Sequence, residues 1–585
     1  MTRGFWLAWL AAVAVCFGVY WQAFDVWFLM DDFAWLGLKQ EIDAGGGLAV
    51  LFEPRAQGTV RLFSERLYFF GLSSIFGIDP LPFRLIAFGC QLAVLWLLVR
   101  IAAFLGGTWM QALAAGVVYA ASAHLARPLM WAASFNQILA SLCLLLAFWF
   151  LLRGRWWAQY AVYLVWFGVL ETAVVYPALA TLYCWLFARE QWRRTLWLWP
   201  PALLFVVLHL FVIPRPSGNE YAAVYDLGML ASLGEYSWMA AGAFGVALLG
   251  WAVWRAAKER DFLPLYFAAW FVVLLAPVLP LQNRISGYYL ALPLTGVALL
   301  AGTVRGRVAG MVELAVCAGY VWMSASAARP EIDFFLTASQ RIQNLLENGS
   351  TAARAKGADT VLLSGIDTEL FNTGLQDTPF RLYGLNKVYL VPGSESGIRA
   401  RADLGGVSAY KISQRQAVEA LESGKTIVLS IAGDRVSDAT NRYRSVILPQ
   451  YVQSRPRSIN LGETAYESLL GPGWWPVEGK FRWMAKTASL RIGAEPGDRR
   501  VRVTGFCPET VIAQGPVSLT VASGSTVLGT KRFEKVDAFD WRVDLPPGLS
   551  RDGWLPLTFS VDRATRVPGD KRDLGLIWGT VSLQQ

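Results

Sequence analysis

Histidine is nearly missing from this chain: there are two, His124 and His209, too few for a His-based metal centre. Cysteine is scarce too. Of six cysteines, Cys16, Cys90, Cys143, Cys184 and Cys317 fall in apolar stretches, where a thiol acts as a small hydrophobe. Cys507 stands alone near the C-terminus, which excludes a disulfide within that half. With no Cys-x-x-Cys and no Cys/His cluster, a zinc site is not indicated. The C-terminal half also lacks a dense basic run with interleaved aromatics, so the net charge of +9 does not point to nucleic acid. The glycines that follow its short apolar runs form no phosphate-binding fingerprint.

What the chain has in excess is apolar surface. Hydrophobic residues make up 55% of the sequence and mean hydropathy is positive, beyond the range of ordinary soluble proteins. The excess is confined to residues 1–328. A helical span needs about 20 apolar residues, and about eleven stretches approach this: near 5–24, 83–104, 108–126, 134–152, 156–170, 173–188, 196–213, 236–254, 262–280, 288–304 and 308–327. The first shows no convincing small-x-small cleavage site and reads as a retained span rather than a signal peptide. Cations cluster between spans at Arg153/Arg155, Arg189/Arg193/Arg194, Arg255/Lys258/Arg260 and Arg305/Arg307. Placing these clusters in the cytoplasm puts the N-terminus inside, the first loop (25–82) outside and, for an odd span count, the tail outside. The 27 Trp and 20 Tyr suit the interfacial belts. Residues 48–82 are too polar to span and too aromatic to float free, so they are expected to lie in the interface, apolar face down.

The most informative residues are Asp31 and Asp32, adjacent carboxylates in "VWFLMDDFAWLGL" just beyond the first span. An ionised acid beside hydrocarbon is costly, and such residues are candidates for function by default. Adjacent side chains point in different directions on helix or strand, so the two are not expected to reach the same atom. The bland alternative is a solvated loop that caps a helix.

Beyond residue 328 the pattern changes. In 329–460, "TVLLSGID", "KVYLVPG" and "TIVLSIAG" read as short buried strands between helical segments, a small α/β domain. In 461–585, "RRVRVTGF", "PVSLTVAS" and "LPLTFSVD" alternate with turn signals about every ten residues, as in an all-β sandwich. The expected architecture is therefore a polytopic α-helical membrane domain (1–328), an α/β domain (329–460) and a C-terminal β-sandwich (461–585).

The Asp-Asp pair after the first span resembles the membrane glycosyltransferases of the GT-C fold, and within them the protein-mannosyltransferase and aminoarabinose-transferase-like group. "RLFSERLYFFGLSSIFGIDPLPFRLIAF" resembles the interfacial stretch that leads into that group's second span. "LETAVVYPAL" (170–179) resembles its Lys-Glu-Thr-plus-proline segment, with Leu170 where lysine is common. "NRISGYYLALPLTGVALLAG" (283–302) resembles its late Arg-x-x-x-Tyr-x-Tyr-like segment, although here Tyr288 and Tyr289 are adjacent. "GWWPVEGKFRWMAKTASLRI" and "GDKRDLGLIWGTVSL" resemble a β-sandwich module appended to bacterial glycosyltransferases.

This resemblance implies an inverting transfer of one sugar from a polyprenyl-phosphate donor to an envelope glycan, lipid or protein on the outer face of a bacterial inner membrane. One of Asp31 and Asp32 is the expected general base, and the other orients substrate, caps a helix or binds a divalent ion. Arg284 is the leading candidate for the donor phosphate because a guanidinium fork matches phosphate oxygens. Arg61 and Arg66 are weaker candidates, with pairing to Glu65 or to lipid headgroups as their alternative. Glu171, His124, Tyr288 and Tyr289 are candidates for the acceptor pocket. For Glu171 the alternative is a carboxylate at a helix start, and for His124 a satisfied buried histidine. No soluble cofactor is implied, and a divalent metal is left open by the lack of any ligand spacing. Trp474, Trp475 and Trp483 read as sandwich core or as sugar-stacking residues, and Glu478 with Arg482 as an ion pair. Two rival readings exist: a polysaccharide ligase or polymerase, and a non-catalytic scaffold or transporter. The first lacks its long Arg/His-rich outer loop here, and a transporter would show internal repeats and mid-membrane charge.

Overall fold

The computed structural model describes residues 3–55, 59–212, 222–304, 309–400, 406–453, 455–567 and 570–585. Arg305 and Arg307, two of the cations used to orient the spans, lie outside them. The described residues of the N-terminal region are mostly helical. Among them four helical runs are long and apolar enough to cross a membrane: Arg3–Asp25, Leu81–Phe104, Ala132–Leu152 and Gly228–Glu259. Trp109–Ala121, Glu171–Phe187 and Leu263–Leu275 are shorter apolar helices.

About eleven spans are expected from sequence, and prolines set where several of the described helices begin. Pro177 stands in the first turn of Tyr176–Phe187 and a proline opens Trp199–Val207, while Pro293 caps Leu294–Ala301. A proline has no N–H for the preceding turn, so it starts helices rather than continuing them. Runs that hydropathy reads as continuous are thereby divided into shorter pieces. The interfacial stretch consists of a 3₁₀ turn (Gly47–Phe52), a π turn (Leu62–Arg66) and a helix (Leu67–Phe76). Leu48, Phe52, Leu67, Ile75 and Phe76 on it are exposed, an apolar edge that suits a lipid surface.

The chain leaves this region through one 47-residue helix, Ala309–Ala355. It runs unbroken past residue 328, so the boundary expected there falls inside a helix. Its later part covers one face of a four-stranded sheet of β1 (Thr360–Ser364), β2 (Lys387–Leu390), β3 (Thr426–Ala432) and β4 (Arg435–Asp438), ordered β2-β1-β3-β4. β1 is parallel to β2 and β3, and β4 is antiparallel to β3. Alternation along the strands divides the core. Val361, Leu363, Ile427 and Leu429 join Ile342 and Leu346 of the long helix in a core continuous with the membrane helices. Leu362 and Val428 face the other way, towards Val418 and Leu421 and the core of the C-terminal unit.

That unit is antiparallel. It contains β5 (Ser458–Asn460), β6 (Trp474–Glu478), β7 (Phe481–Met484), β8 (Thr487–Gly493), β9 (Arg500–Cys507), β10 (Val517–Ser523), β11 (Thr526–Phe533), β12 (Asp537–Asp544), β13 (Trp554–Val561) and β14 (Ile577–Gln584). One sheet is ordered β11-β10-β13-β8, the other β12-β9-β14-β7-β6 with β5 on β14. Trp474 packs against Phe559 and Trp578 in the core between them, while Trp475 donates its indole N–H to Asp573 O. The expected Glu478–Arg482 pair does not form. Val477 is directly opposite Arg482 across the β6–β7 hairpin, so Glu478 and Arg482 point to opposite faces. Arg482 pairs with Glu467, and Glu478 with Arg572.

Candidate active site

Val26–Leu29 runs extended after the first helical run, Met30 turns the chain in the left-handed region (φ 53°), and the helix Asp32–Leu36 follows. Asp31 itself is helical (φ -59°, ψ -14°), so the two carboxylates leave successive helical positions and differ in direction. Asp32 is fully buried and its Oδ1 and Oδ2 accept from Ala133 N (2.7 Å) and Leu29 N (3.2 Å). Asp32 thus ties its own loop to the start of the Ala132–Leu152 run. Burial raises its pKa to about 7, against the charge of Arg84 and the two backbone N–H groups. Asp31 is exposed.

Arg84 was assigned nothing from sequence, yet it is fully buried one turn into Leu81–Phe104. Its guanidinium donates to Val26 O, Trp27 O and Leu129 O at 3.2–3.4 Å and lies within electrostatic reach of Asp32. The one signal available was an arginine inside an apolar run, where a charge needs partners.

The 61–66 turn is bound to the segment before Tyr176–Phe187: Phe63 N donates to Gly168 O (2.8 Å) and Ser64 Oγ to Val169 O (2.7 Å). Gly168 permits this approach, since a Cβ there would lie 2.7 Å from the Phe63 ring. As a result Arg61 forks onto Glu171 (2.8 and 3.0 Å) and its remaining terminal nitrogen reaches Glu65 (2.7 Å). Those two acids hold the Arg61 proton more tightly than usual. Glu65 also receives Asn136 Nδ2 at 3.4 Å, and burial raises its pKa.

Arg66 differs from Arg61. It is fully buried, its guanidinium lies 4.2 Å over the Trp35 ring, and Nη2 donates to Glu53 O at 3.4 Å. Its Nε and Nη1 make no hydrogen bond among the described residues. Its nearest carboxylate oxygen, Glu65 Oε2, is 4.0 Å away and is itself unbonded. Burial lowers the Arg66 pKa to about 10, which leaves it charged at neutral pH. Buried donors without partners are uncommon in folded proteins, and a cation carrying them is suited to an anion. Trp35 lies one turn from Asp31, to whose carbonyl its N–H donates (3.3 Å). The unmet donors of Arg66 and the exposed carboxylate of Asp31 therefore serve the same short helix.

The remaining sequence candidates gather in a second group. His124 Nε2 bonds Met239 O at 2.8 Å, and its ring lies against Gly287, where a Cβ would be 2.6 Å from Nδ1. Tyr288 and Tyr289 are in ring contact (centroids 4.3 Å apart), and Arg127 lies over Tyr288 while pairing with Glu331 at 2.8 Å. Arg284 is half-buried in the same loop, near the hydroxyl of Tyr236, which accepts from Ser286 N at 3.2 Å. Among the described residues no group of three or more His, Cys, Asp or Glu side chains is placed to hold a metal ion.

The chain resembles membrane glycosyltransferases of the GT-C fold. Among solved structures it is similar to the arabinofuranosyltransferase AftD from Mycobacteria, with a TM-score of 0.44 and 13% identity over 100% of this chain and 59% of that one. It is also similar to ArnT from Cupriavidus metallidurans bound to undecaprenyl phosphate (TM-score 0.42, 13% identity, 73% of this chain and 93% of that one) and in the apo state (0.39, 14%, 72% and 92%). The chain thus spans about three fifths of the arabinofuranosyltransferase's length. No family model and no curated protein matches it. At these scores the chemistry of the site stands on its own geometry.

Sequence reasoning missed a further set of residues. Arg381, from the α/β unit, donates from Nη2 to Phe33 O at 3.4 Å and lies 4.0 Å from Glu41, while Gln40 Nε2 donates to Arg381 O at 2.8 Å. Arg55 in turn pairs with Glu41. These partners are about 340 residues apart, and no local pattern announces them.

Proposed function

We propose that this protein is an integral-membrane glycosyltransferase. It moves a sugar from a polyprenyl-phosphate donor to an envelope glycan, lipid or protein, with Asp31 as the general base. The observation that carries this reading is the division of the aspartate pair into an exposed Asp31 and a buried, doubly hydrogen-bonded Asp32, beside a buried arginine with unmet donors. The acceptor hydroxyl gives its proton to the Asp31 carboxylate as its oxygen bonds the anomeric carbon. The bond from that carbon to the phosphate oxygen breaks on the opposite face, so configuration inverts. The electron pair leaves on the polyprenyl phosphate, whose charge Arg66 stabilises.

Asp32 is the positioning partner: with Arg84 it fixes the loop so that Asp31 projects outward. Glu171 and Glu65 hold Arg61, which orders the turn that carries Arg66. Of the three arginines considered from sequence, Arg66 is favoured over Arg61, because the donors of Arg61 are engaged by carboxylates. Arg284, His124, Tyr288 and Tyr289 form the far wall, where acceptor or lipid chain would lie. The reading keeps a bacterial inner-membrane location with the first loop, the α/β unit and the sandwich on the outer face, and domain limits at 1–328, 329–460 and 461–585.

The test is transfer of labelled sugar in proteoliposomes from undecaprenyl phosphate carrying arabinofuranose, aminoarabinose or a hexose, with envelope extract as acceptor. Wild type is expected to consume at least one donor and Asp31→Asn to lose turnover. Full activity in Asp31→Asn rules out this mechanism.

A further inference from the structure

We propose that Asp377, carried by the α/β unit, faces Asp31 across the site and is a positioning residue that keeps Asp31 strongly basic, so that the α/β unit is a wall of the active site rather than a spacer. This rests on the reading of Asp31 as the base.

The geometry begins in the backbone. Met30 N donates to Thr373 O at 2.6 Å, which fastens the residue before Asp31 to the segment that leads to Asp377. Arg381 fastens the same two segments again, through Phe33 O and Gln40. It can do so because residue 37 is glycine: a Cβ there would lie 2.0 Å from Arg381 Nη2.

A second observation is independent of these contacts. Among the described residues four non-glycine positions have positive φ: Met30 (53°), Arg260 (53°), Thr378 (50°) and Asp552 (53°). Two of the four adjoin the two carboxylates, Met30 before Asp31 and Thr378 after Asp377. Residues with a Cβ pay for that conformation and keep it only where the surroundings impose it, typically at functional sites. The Asp377 segment is also held rigidly. The buried Tyr410 donates its hydroxyl to Leu375 O and packs its ring edge-on against Phe371, with centroids 5.6 Å apart.

The charged and titratable groups facing Asp377, among the described residues, are Asp31, Arg381 and Tyr410. On the other side Asp31 has Asp32 as its neighbour. Asp377 is half-buried, and burial followed by the charge of Asp31 raises its pKa to about 6, against Arg381. The influence is mutual: a carboxylate facing Asp31 makes Asp31 hold a proton more tightly, which strengthens it as a base. Asp377 takes no proton from the acceptor in this scheme. The proton goes to Asp31, and Asp377 acts on it only through its charge.

The experiment measures kcat/KM and kcat against pH in proteoliposomes, with undecaprenyl phosphate-linked arabinofuranose, aminoarabinose or hexose as donor and envelope extract as acceptor. Wild type is compared with Asp377→Asn, Asp377→Ser, Asp377→Glu and Asp31→Asn. As pH falls Asp377 takes a proton at about 6, and below that its charge no longer supports proton transfer to Asp31. The acidic limb should therefore move down by about 0.5–1 pH unit in Asp377→Asn and Asp377→Ser, with a lower plateau kcat, and Asp377→Glu should restore both. A merely structural role predicts a lower plateau with the limb unmoved. That result, with Asp31→Asn inactive, overturns this inference and leaves Asp31 as the base. Activity in Asp31→Asn, or no donor consumed by wild type, overturns the parent reading and this inference with it.

Discussion

Two regions of this molecule use the same chemistry, arginine against carboxylate, to different ends. In the C-terminal sandwich Arg502 forks onto Asp540, Arg500 reaches Asp544, and Arg566 meets Asp573, all on exposed surface. Water competes for both partners, so such pairs add little to stability. In the helical region Arg61, Glu65, Arg66, Glu171, Asp32 and Arg84 are largely or fully withdrawn from water. There each charge depends on its partner, and Arg66, held by Glu53 O and the Trp35 ring, keeps Nε and Nη1 without a hydrogen bond among the described residues. The pairs differ in burial, and burial sets how much each charge depends on its partner.

The comparison is broken most severely at Asp31. Asp31→Asn is expected to cut transfer by about 10²–10⁴-fold while leaving the melting temperature in detergent unchanged, because the side chain is exposed. A large drop in melting temperature would make Asp31 structural like Asp32. Arg61→Ala is next. It leaves Glu171 and Glu65 without their shared cation, which should cost about 3 kcal/mol of stability, seen as a lower unfolding midpoint. Arg66→Ala should act differently, weakening donor binding about 10–100-fold, the worth of a charge-assisted hydrogen bond, as a rise in KM for the lipid-linked sugar.

The pH dependence of stability sharpens the contrast further. The pKa of Asp32 is raised when folded, so the folded chain holds a proton there that the unfolded chain releases near its ordinary value of 3.8. The contribution of Asp32 is thus fully present below about 4 and is lost as pH rises through about 7. The stability difference between wild type and Asp32→Asn should change over that window, and unfolding midpoints at pH 4, 5.5 and 7 measure it. The smallest effect belongs to the sandwich: Asp540→Asn should leave both transfer and melting temperature as they are. A clear loss there would mean that the exposed pairs are more than surface.

Much of this was legible in sequence. Helix in the apolar stretches follows from hydropathy, and the strands of the last unit follow from alternation, because each side chain's exposure is set by a local period. Asp31 and Asp32 stood out as adjacent acids beside a span. Which of them is exposed was not legible, because Asp32 is buried by its bond to Ala133 N, a hundred residues away. The engagement of Arg61 was weighed only in part: Glu65 is four residues away and visible, whereas the fork onto Glu171 closes over 110 residues. Arg84, Asp377 and Arg381 went unassigned because their partners are distant and their neighbours ordinary.

The sequence by itself determined an apolar helical region with an acidic pair at its outer edge, followed by a parallel sheet and an antiparallel sandwich, since hydropathy and periodicity are local properties of the chain. Tertiary structure alone decided that Asp32 is buried on two backbone N–H groups and Asp31 exposed, that Arg61 is forked onto Glu171, and that the segment leading to Asp377 is fastened to Met30. Those outcomes depend on desolvation and on contacts between residues hundreds of positions apart, and neither is written in any short stretch of sequence.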